Sequence, residues 1–425
     1  MYPAIALVSF FALLLLTVPV AISLGFGAII PAWFGAPMNT GQSIRTMVTA
    51  IDSFPFLAVP LFMMAGDLMT RGGLARRLFS FADAMTGRIS GGLGISTVVA
   101  CMLFGAISGS SPATVAAIGA MAIPLLLKQG YDLRFASVLV TTAGTLGVIV
   151  PPSIPMIIYG MSANVSVSAL FMGGVLPALV IGGLLMLYAY WYGRNNRDKI
   201  VTTAGQVTVL QAAKDSFWAL LAPIIVLGGI YTGVFTPTEA AAIAVGYSAF
   251  VSIVVFREMN LAGLVQAVAG TATTIAPILI IAGTGAAIGR TLNLLGVPQM
   301  LGTLLGGAVS DQLMMLLVVN MILLVVGMVM ETIAAIIVLT PILLPLVTQY
   351  NVDPVHFGVI MTVNLAIGFV TPPVGANLYI ASGLTGLSVV RICQGILVPL
   401  VFLLIGLLII TYVPGLTLWL PSLLG

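Results

Sequence analysis

The sequence predicts an all-α polytopic membrane protein built from two repeated halves, and three observations carry the prediction. Of the 425 residues, 60% are hydrophobic and only 6% are charged, against roughly a quarter charged in soluble domains. The mean hydropathy is +1.22, so the chain cannot cover itself with a polar surface. The apolar runs are long and continuous, whereas a β-barrel would show segments of about ten residues with alternating polarity. A soluble enzyme, a nucleic-acid binder, a disordered chain and a disulfide scaffold are thereby excluded.

A spanning helix needs about 20 apolar residues to cross a core of about 30 Å. Apolar runs fall near 2–17, 20–36, 50–69, 93–107, 112–127, 135–163, 168–192, 217–234, 239–256, 268–289, 312–329, 333–348, 356–384 and 391–413. The first run has no basic flank and no small-residue cleavage site, so it reads as a retained helix. The pairs 93–107/112–127 and 312–329/333–348 are short arms joined by a few polar or small residues. Each pair is expected to form a re-entrant hairpin that leaves the membrane on the side it entered. The run 135–163 is interrupted by Val150-Pro151-Pro152-Ser153-Ile154-Pro155, and 356–384 by Thr371-Pro372-Pro373-Val374-Gly375. Proline removes an amide donor and clashes with the preceding turn, so both runs predict broken helices. Freed backbone groups at membrane depth persist only where protein or a cavity surrounds them.

The same devices recur at a fixed offset. A shift of 221 residues lays Pro124 on Pro345, Asp132 on Asp353, Gly147 on Gly368 and Pro151-Pro152 on Pro372-Pro373. Eight of 37 positions match over 124–160 against 345–381, several at Pro, Gly and Asp, which apolar bias does not generate. The first repeat is read as 1–200, with scaffold helices over 1–70, hairpin 93–127, broken helix 135–163 and helix 168–192. Residues 201–216 form a cytoplasmic linker. The second repeat, 217–425, has scaffold helices over 217–290, hairpin 312–348, broken helix 356–384 and helix 391–413. Five crossings per half make the second half inverted relative to the first. With the N-terminus outside, twelve Lys and Arg lie inside and only Arg45 and Arg290 outside, as the positive-inside rule requires. Both termini then lie outside.

Inverted repeats with paired hairpins and broken helices are the pattern of secondary transporters, with sites at the midplane. A hairpin tip exposes the last carbonyls of one arm and the first amides of the next. Carbonyls can hold a cation such as Na⁺, and a helix N-terminus can face an anion. The first candidate cation cluster is Ser108, Ser110, Gly147, Val150 and Pro152. The second is Val329, Glu331, Thr332, Gly368, Thr371 and Pro373. Ser111, Ser153, Asn377 and Arg290 are the candidate substrate contacts. Each has a plainer reading: small residues packing between helices for the tips, helix–helix hydrogen bonding for Asn377, interfacial anchoring for Arg290. Glu331, an acid deep in an apolar stretch, is either functional or a helix cap. Asp132 and Asp353 read as caps, and Thr236-Pro237-Thr238-Glu239 as a capping box. Cys101 and Cys393 read as small core residues. A lone histidine, His356, argues against histidine-based metal or nucleophile chemistry.

Five motifs together resemble one family. They are Gly105-Ala-Ile-Ser-Gly-Ser-Ser111, Pro151-Pro-Ser-Ile-Pro155, Phe235-Thr-Pro-Thr-Glu239, Gly327-Met-Val-Met-Glu331 and Thr371-Pro-Pro-Val-Gly375. The chain resembles, over nearly its whole length, the large membrane subunit of tripartite ATP-independent periplasmic (TRAP) transporters. The resemblance implies a permease of a bacterial or archaeal cytoplasmic membrane that imports organic acids by Na⁺ symport. Dicarboxylates, sialic acids, sugar acids and keto acids are the classes it leaves open. It implies an elevator mechanism, no organic cofactor, and two partners: a small four-helix membrane subunit and a periplasmic substrate-binding protein. It places the Na⁺ sites on the two clusters named above. A stand-alone dicarboxylate or arsenite-type carrier is the runner-up, and an intramembrane enzyme a remote third.

Overall fold

The computed structural model describes residues 1–87, 89–198, 200, 208–306 and 311–424. Arg88 and Lys199, two of the twelve basic residues expected inside, and positions 201–207 of the expected linker lie outside the described residues. Every regular element among the described residues is helical. Large apolar side chains such as Leu15, Ile280 and Leu397 stand exposed on outer helix faces, an arrangement that lipid tolerates and water does not.

The first half opens with α1 (Tyr2–Leu15) and α2 (Val20–Trp33), which pack against each other. Helix α3 (Thr40–Ile51) is capped by Asn39, whose side chain accepts from the Gly41 amide at 2.8 Å. A 3₁₀ turn at Phe54–Leu57 leads into α4 (Ala58–Arg71), bent by 54° from α3. Helix α5 (Leu74–Thr86) buries Leu74, Ala75, Leu78, Phe79 and Ala82 along one face. The first hairpin is α6 (Gly92–Ser108) and α7 (Ser111–Lys128). The broken helix is α8 (Leu133–Ala143), the single turn α9 (Leu146–Ile149), an extended break, and α10 (Ile154–Ala163). Helix α11 (Val167–Asn195) closes the half.

The rest of the chain follows a similar order of elements. It begins with α12 (Val209–Asp215), α13 (Phe217–Tyr231) and α14 (Pro237–Phe250), the last extended by a π turn at Val251–Val255. The capping box of α14 is formed as expected: Thr236 Oγ1 accepts from the Glu239 amide and Glu239 Oε2 accepts from the Thr236 amide. Helix α15 (Leu261–Leu294) runs 34 residues through Pro277 without breaking. Then come α16 (Val297–Gly306), the second hairpin α17 (Gln312–Gly327) and α18 (Thr332–Thr348), and the broken helix α19 (Pro354–Gly368) and α20 (Ala376–Thr385). Helices α21 (Val389–Tyr412) and α22 (Gly415–Leu424) complete the chain. Asp132 and Asp353 cap α8 and α19, each accepting two amide hydrogen bonds through Oδ1.

The packing interleaves the halves. The second arm of the first hairpin, α7, lies on α20, and the second arm of the other hairpin, α18, lies on α10. One continuous apolar core runs through both halves. Helices α4 and α15, with α14 and α2 against them, form a neighbouring layer.

Four features differ from the sequence reading. Helices α3, α5, α12, α16 and α22 were not expected, because each is too short or too polar to read as a span. By length and composition, five described helices suffice to cross a membrane, and eight if each bent pair is one span. Helices α1 and α2 stop at 14 residues each. Finally, α7 reaches 18 residues, about 27 Å, because Ser110 caps it one residue early and Lys128 extends its last turn.

Candidate functional site

The first hairpin turns at Gly109, whose φ of 57° is left-handed. Ser110 then caps α7, its side chain accepting from the Ala113 amide at 3.4 Å. Thr114, one turn into α7, donates to the Ser110 carbonyl at 2.8 Å and stands 3.2 Å from Ser108 Oγ. The break in the neighbouring helix comes to this tip: the Ile154 amide donates to the Gly109 carbonyl at 3.3 Å. A Cβ placed on Gly147 would lie 2.2 Å from Thr114 Oγ1 and 2.5 Å from the Ser110 carbonyl, so only glycine admits this approach. Ser108, Ser110 and Gly147 are therefore gathered as the sequence suggested, with the Pro152 carbonyl against Gly109 and Val150 on the extended break. Ser153 is fully buried and spends its hydroxyl on the Val148 carbonyl at 2.5 Å while capping α10.

The second cluster repeats the plan with different side chains. The Val374 amide donates to the Met328 carbonyl at 3.2 Å, tying the break to the tip. A Cβ on Gly368 would lie 2.4 Å from the Gly327 carbonyl oxygen. Thr371 Oγ1 donates to the Ile367 carbonyl at 2.8 Å. Glu331 is the N-cap of α18, accepting through Oε2 from the Ile333 and Ala334 amides at 2.9 and 3.1 Å. Thr332 is buried, whereas Val329, Glu331 and Pro373 are exposed.

Asn377 joins the halves. Its Nδ2 donates to Ser111 Oγ at 2.8 Å and to the Thr141 carbonyl at 3.1 Å. The residue is fully buried, and Oδ1 has no partner among the described residues. Ser111 and Asn377 thus meet as a pair. Arg290 does not join them: it sits exposed on α15 and donates to Thr46 of α3 at 3.4 Å. His356 is also structural in its contacts, with Nδ1 2.8 Å from Thr417 Oγ1 and Nε2 3.2 Å from the Thr411 carbonyl.

Two contributors were missed in the sequence. Thr114 was findable, because it stands four residues after Ser110 and so on the same helix face. The Thr141 carbonyl was not, because a backbone acceptor carries no side-chain signal. No group of three or more His, Cys, Asp or Glu gathers among the described residues. The tips instead offer carbonyl and hydroxyl oxygens. Beside the first tip, a cavity of about 810 Å³ opens between the hairpin and the α4/α15 layer, with Ser108 and Ser110 in its wall.

The family model described as "Tripartite ATP-independent periplasmic transporter, DctM component" matches residues 7–416. The isethionate TRAP transporter permease protein DctMQ of Oleidesulfovibrio alaskensis is 43% identical over 415 residues, covering 97% of this chain. The chain spans 65% of that relative's length. The C4-dicarboxylate TRAP transporter large permease protein DctM of Pseudomonas aeruginosa is 40% identical over 403 residues, 95% of this chain and 94% of the relative. Among solved structures, the YdaH transporter of Alcanivorax borkumensis superposes with a TM-score of 0.68 over 98% of each chain, at 15% identity. That likeness concerns the fold alone.

Proposed function

The chain belongs to the DctM component family of tripartite ATP-independent periplasmic transporters, and we propose that it imports a small organic acid by Na⁺ symport. It is a transporter permease subunit, not an enzyme. Relatives named for isethionate and for C4-dicarboxylates support an organic-acid cargo. The observation that carries the Na⁺ reading is the repeated tip-and-break cluster, because each one gathers carbonyl and hydroxyl oxygens from a hairpin and a broken helix. Hard cations take oxygen donors of this kind. In this reading Na⁺ travels as cargo, held by Ser108, Ser110, Gly147, Val150 and Pro152 at one site. Val329, Glu331, Thr332, Gly368, Thr371 and Pro373 hold it at the other.

The packing supports an elevator mechanism. Asn377 ties the second broken helix to the first hairpin, so the hairpins and broken helices form one block. The α4/α15 layer is the scaffold against which that block slides as an elevator. The halves are related by inversion, both termini lie outside, and the membrane is the bacterial cytoplasmic one. Na⁺ in both clusters favours the state that accepts cargo, since a ligand shifts an equilibrium only through differential affinity. The partners are a periplasmic substrate-binding protein and a small membrane subunit. The composite name and greater length of the DctMQ relative support the second.

Proteoliposome uptake under an inward Na⁺ gradient, with each partner omitted in turn, tests this. Uptake should need all components and Na⁺. Substantial uptake by the 425-residue chain alone would promote the stand-alone carrier.

A further inference from the structure

The cavity beside the first hairpin has one wall that neither cation cluster uses. That wall is built by the C-terminal turn of α4 and the middle of α15. Arg71 ends α4, and its Nε donates to both oxygens of Asp67 at 3.0 and 2.9 Å. This grip fixes the guanidinium from behind. The two Nη groups make no hydrogen bond among the described residues, and they form the edge that receives carboxylates in a fork. The guanidinium lies along α15: Nη2 is 3.5 Å from the point where a Cβ on Gly270 would stand.

The next residue on α15 is Thr271. Three threonines line this wall, Thr70, Thr271 and Thr274. Thr70 donates to the Gly66 carbonyl at 2.8 Å and Thr274 to the Gly270 carbonyl at 3.0 Å. Both hydroxyls are satisfied within their own helices. Thr271 is 8% exposed, and its hydroxyl has no partner among the described residues. A buried hydroxyl without a partner costs about 1–3 kcal/mol, and this one belongs to a cavity-wall residue that follows Gly270, the position the Arg71 guanidinium approaches.

Charge agrees. Arg76 and Arg77 both pair with Glu258, while Arg71 pairs with Asp67. Arg71 and Glu258 also line a smaller adjoining cavity with Arg257. Four guanidinium groups thus stand against two carboxylates. The surplus of two positive charges attracts an anion to this end of the cavity.

We propose that Arg71 and Thr271 form an anion subsite for the carried acid. The Arg71 Nη edge takes two oxygens of a carboxylate or sulfonate, and the Thr271 hydroxyl donates to the same group. Asp67 is a positioning residue that presents the fork. The remainder of the cargo lies toward Met63, Ala113 and Ala117, within reach of Ser108 and Ser110 at the tip. The subsite lies on the scaffold, so cargo held by the moving tip would meet it in the state seen here. The inference rests on the reading that the chain carries organic acids.

Its test separates the two. The complete transporter is first assayed in proteoliposomes for Na⁺-driven uptake of succinate and of isethionate. Thr274→Cys, on a Cys393→Ser background, then serves as a reporter, because Thr274 lines the cavity but is not a proposed ligand. Maleimide labelling of the reporter should be slowed by whichever acid is transported. Adding Arg71→Gln should raise the half-protecting concentration about tenfold or more, and Thr271→Val about threefold. Arg71→Lys, which keeps the charge and loses the fork, should fall between wild type and Arg71→Gln. Arg194→Gln, at the end of α11, should change nothing. Uptake of an acid that gives no protection, or equal protection in Arg71→Gln and Thr271→Val, overturns the subsite and leaves the transport reading standing. Absence of Na⁺-driven uptake of both acids, and of a sialic acid, a sugar acid and a keto acid tried in the same way, overturns both.

Discussion

Replacing Gly147 by alanine adds one methyl group at the most constrained point of the first cluster. The new Cβ would stand 2.2 Å from Thr114 Oγ1, 2.5 Å from the Ser110 carbonyl oxygen and 2.9 Å from Thr114 Cβ. Ordinary contact needs about 3.5 Å, so the tip must withdraw by about 1 Å. Thr114 can rotate, but doing so sacrifices its hydrogen bond to the Ser110 carbonyl, a contribution of about 0.5–1.5 kcal/mol. Overpacking adds about 1–3 kcal/mol. Displacing the oxygens proposed to hold a cation by this much should weaken Na⁺ binding about tenfold or more, at 1.4 kcal/mol per tenfold. Gly368→Ala should be worse, because its Cβ would meet only backbone: Gly327 O at 2.4 Å, C at 2.5 Å and Cα at 2.7 Å. Gly183→Ala in α11 is the control, since nothing lies within 4 Å of its Cβ; alanine there should be neutral or slightly stabilising. The assay is the Na⁺ half-saturation of uptake by the complete transporter, with thermal unfolding in parallel. Wild-type half-saturation in both Gly147→Ala and Gly368→Ala would refute the claim that these contacts shape the cation sites.

Three further outcomes are expected. Asn377→Leu leaves the Thr141 carbonyl and the Ser111 hydroxyl without their donor at full burial, so thermal stability should fall by about 1–3 kcal/mol and uptake should be lost; a variant as stable and active as wild type would remove Asn377 from the site. Glu331→Gln keeps an acceptor for the Ile333 and Ala334 amides while removing the charge, so α18 should stay capped and uptake should persist with weaker Na⁺ dependence. Uptake that ignored Na⁺ and followed pH, and was abolished in this variant, would instead make Glu331 a proton carrier. Single cysteines at Asn195 and Ser422 test orientation: an impermeant reagent added outside should label 422 and spare 195, and the reverse pattern would invert the topology.

Much of the fold was legible because it is set within a few residues of chain. The Pro151-Pro152 and Pro372-Pro373 breaks, the Asp132 and Asp353 caps and the capping box at Thr236 all act over at most four positions, and all appear where the sequence placed them. The amphipathic α5 was missed because Arg76, Arg77 and Asp83 interrupt its linear apolar run, so it could not be read as a span. At the site, the tip residues were visible as Ser and Gly clusters. Arg290 was chosen for its charge near a helix end, yet charge does not say which face of α15 it takes, and its hydrogen bond runs to Thr46.

By itself, the sequence determined the membrane class and the places where helices turn or break. Hydrophobic run length and proline or glycine chemistry are properties of a short stretch of chain. Only the tertiary structure decided what those breaks meet. Asn377 finds Ser111 across 266 residues and Thr141 across 236. Arg71 of one half lies against Gly270 of the other, beside a Thr271 hydroxyl that its own helix leaves unbonded. Such encounters depend on how whole helices pack, and packing is fixed by the summed fit of many apolar surfaces rather than by any local signal.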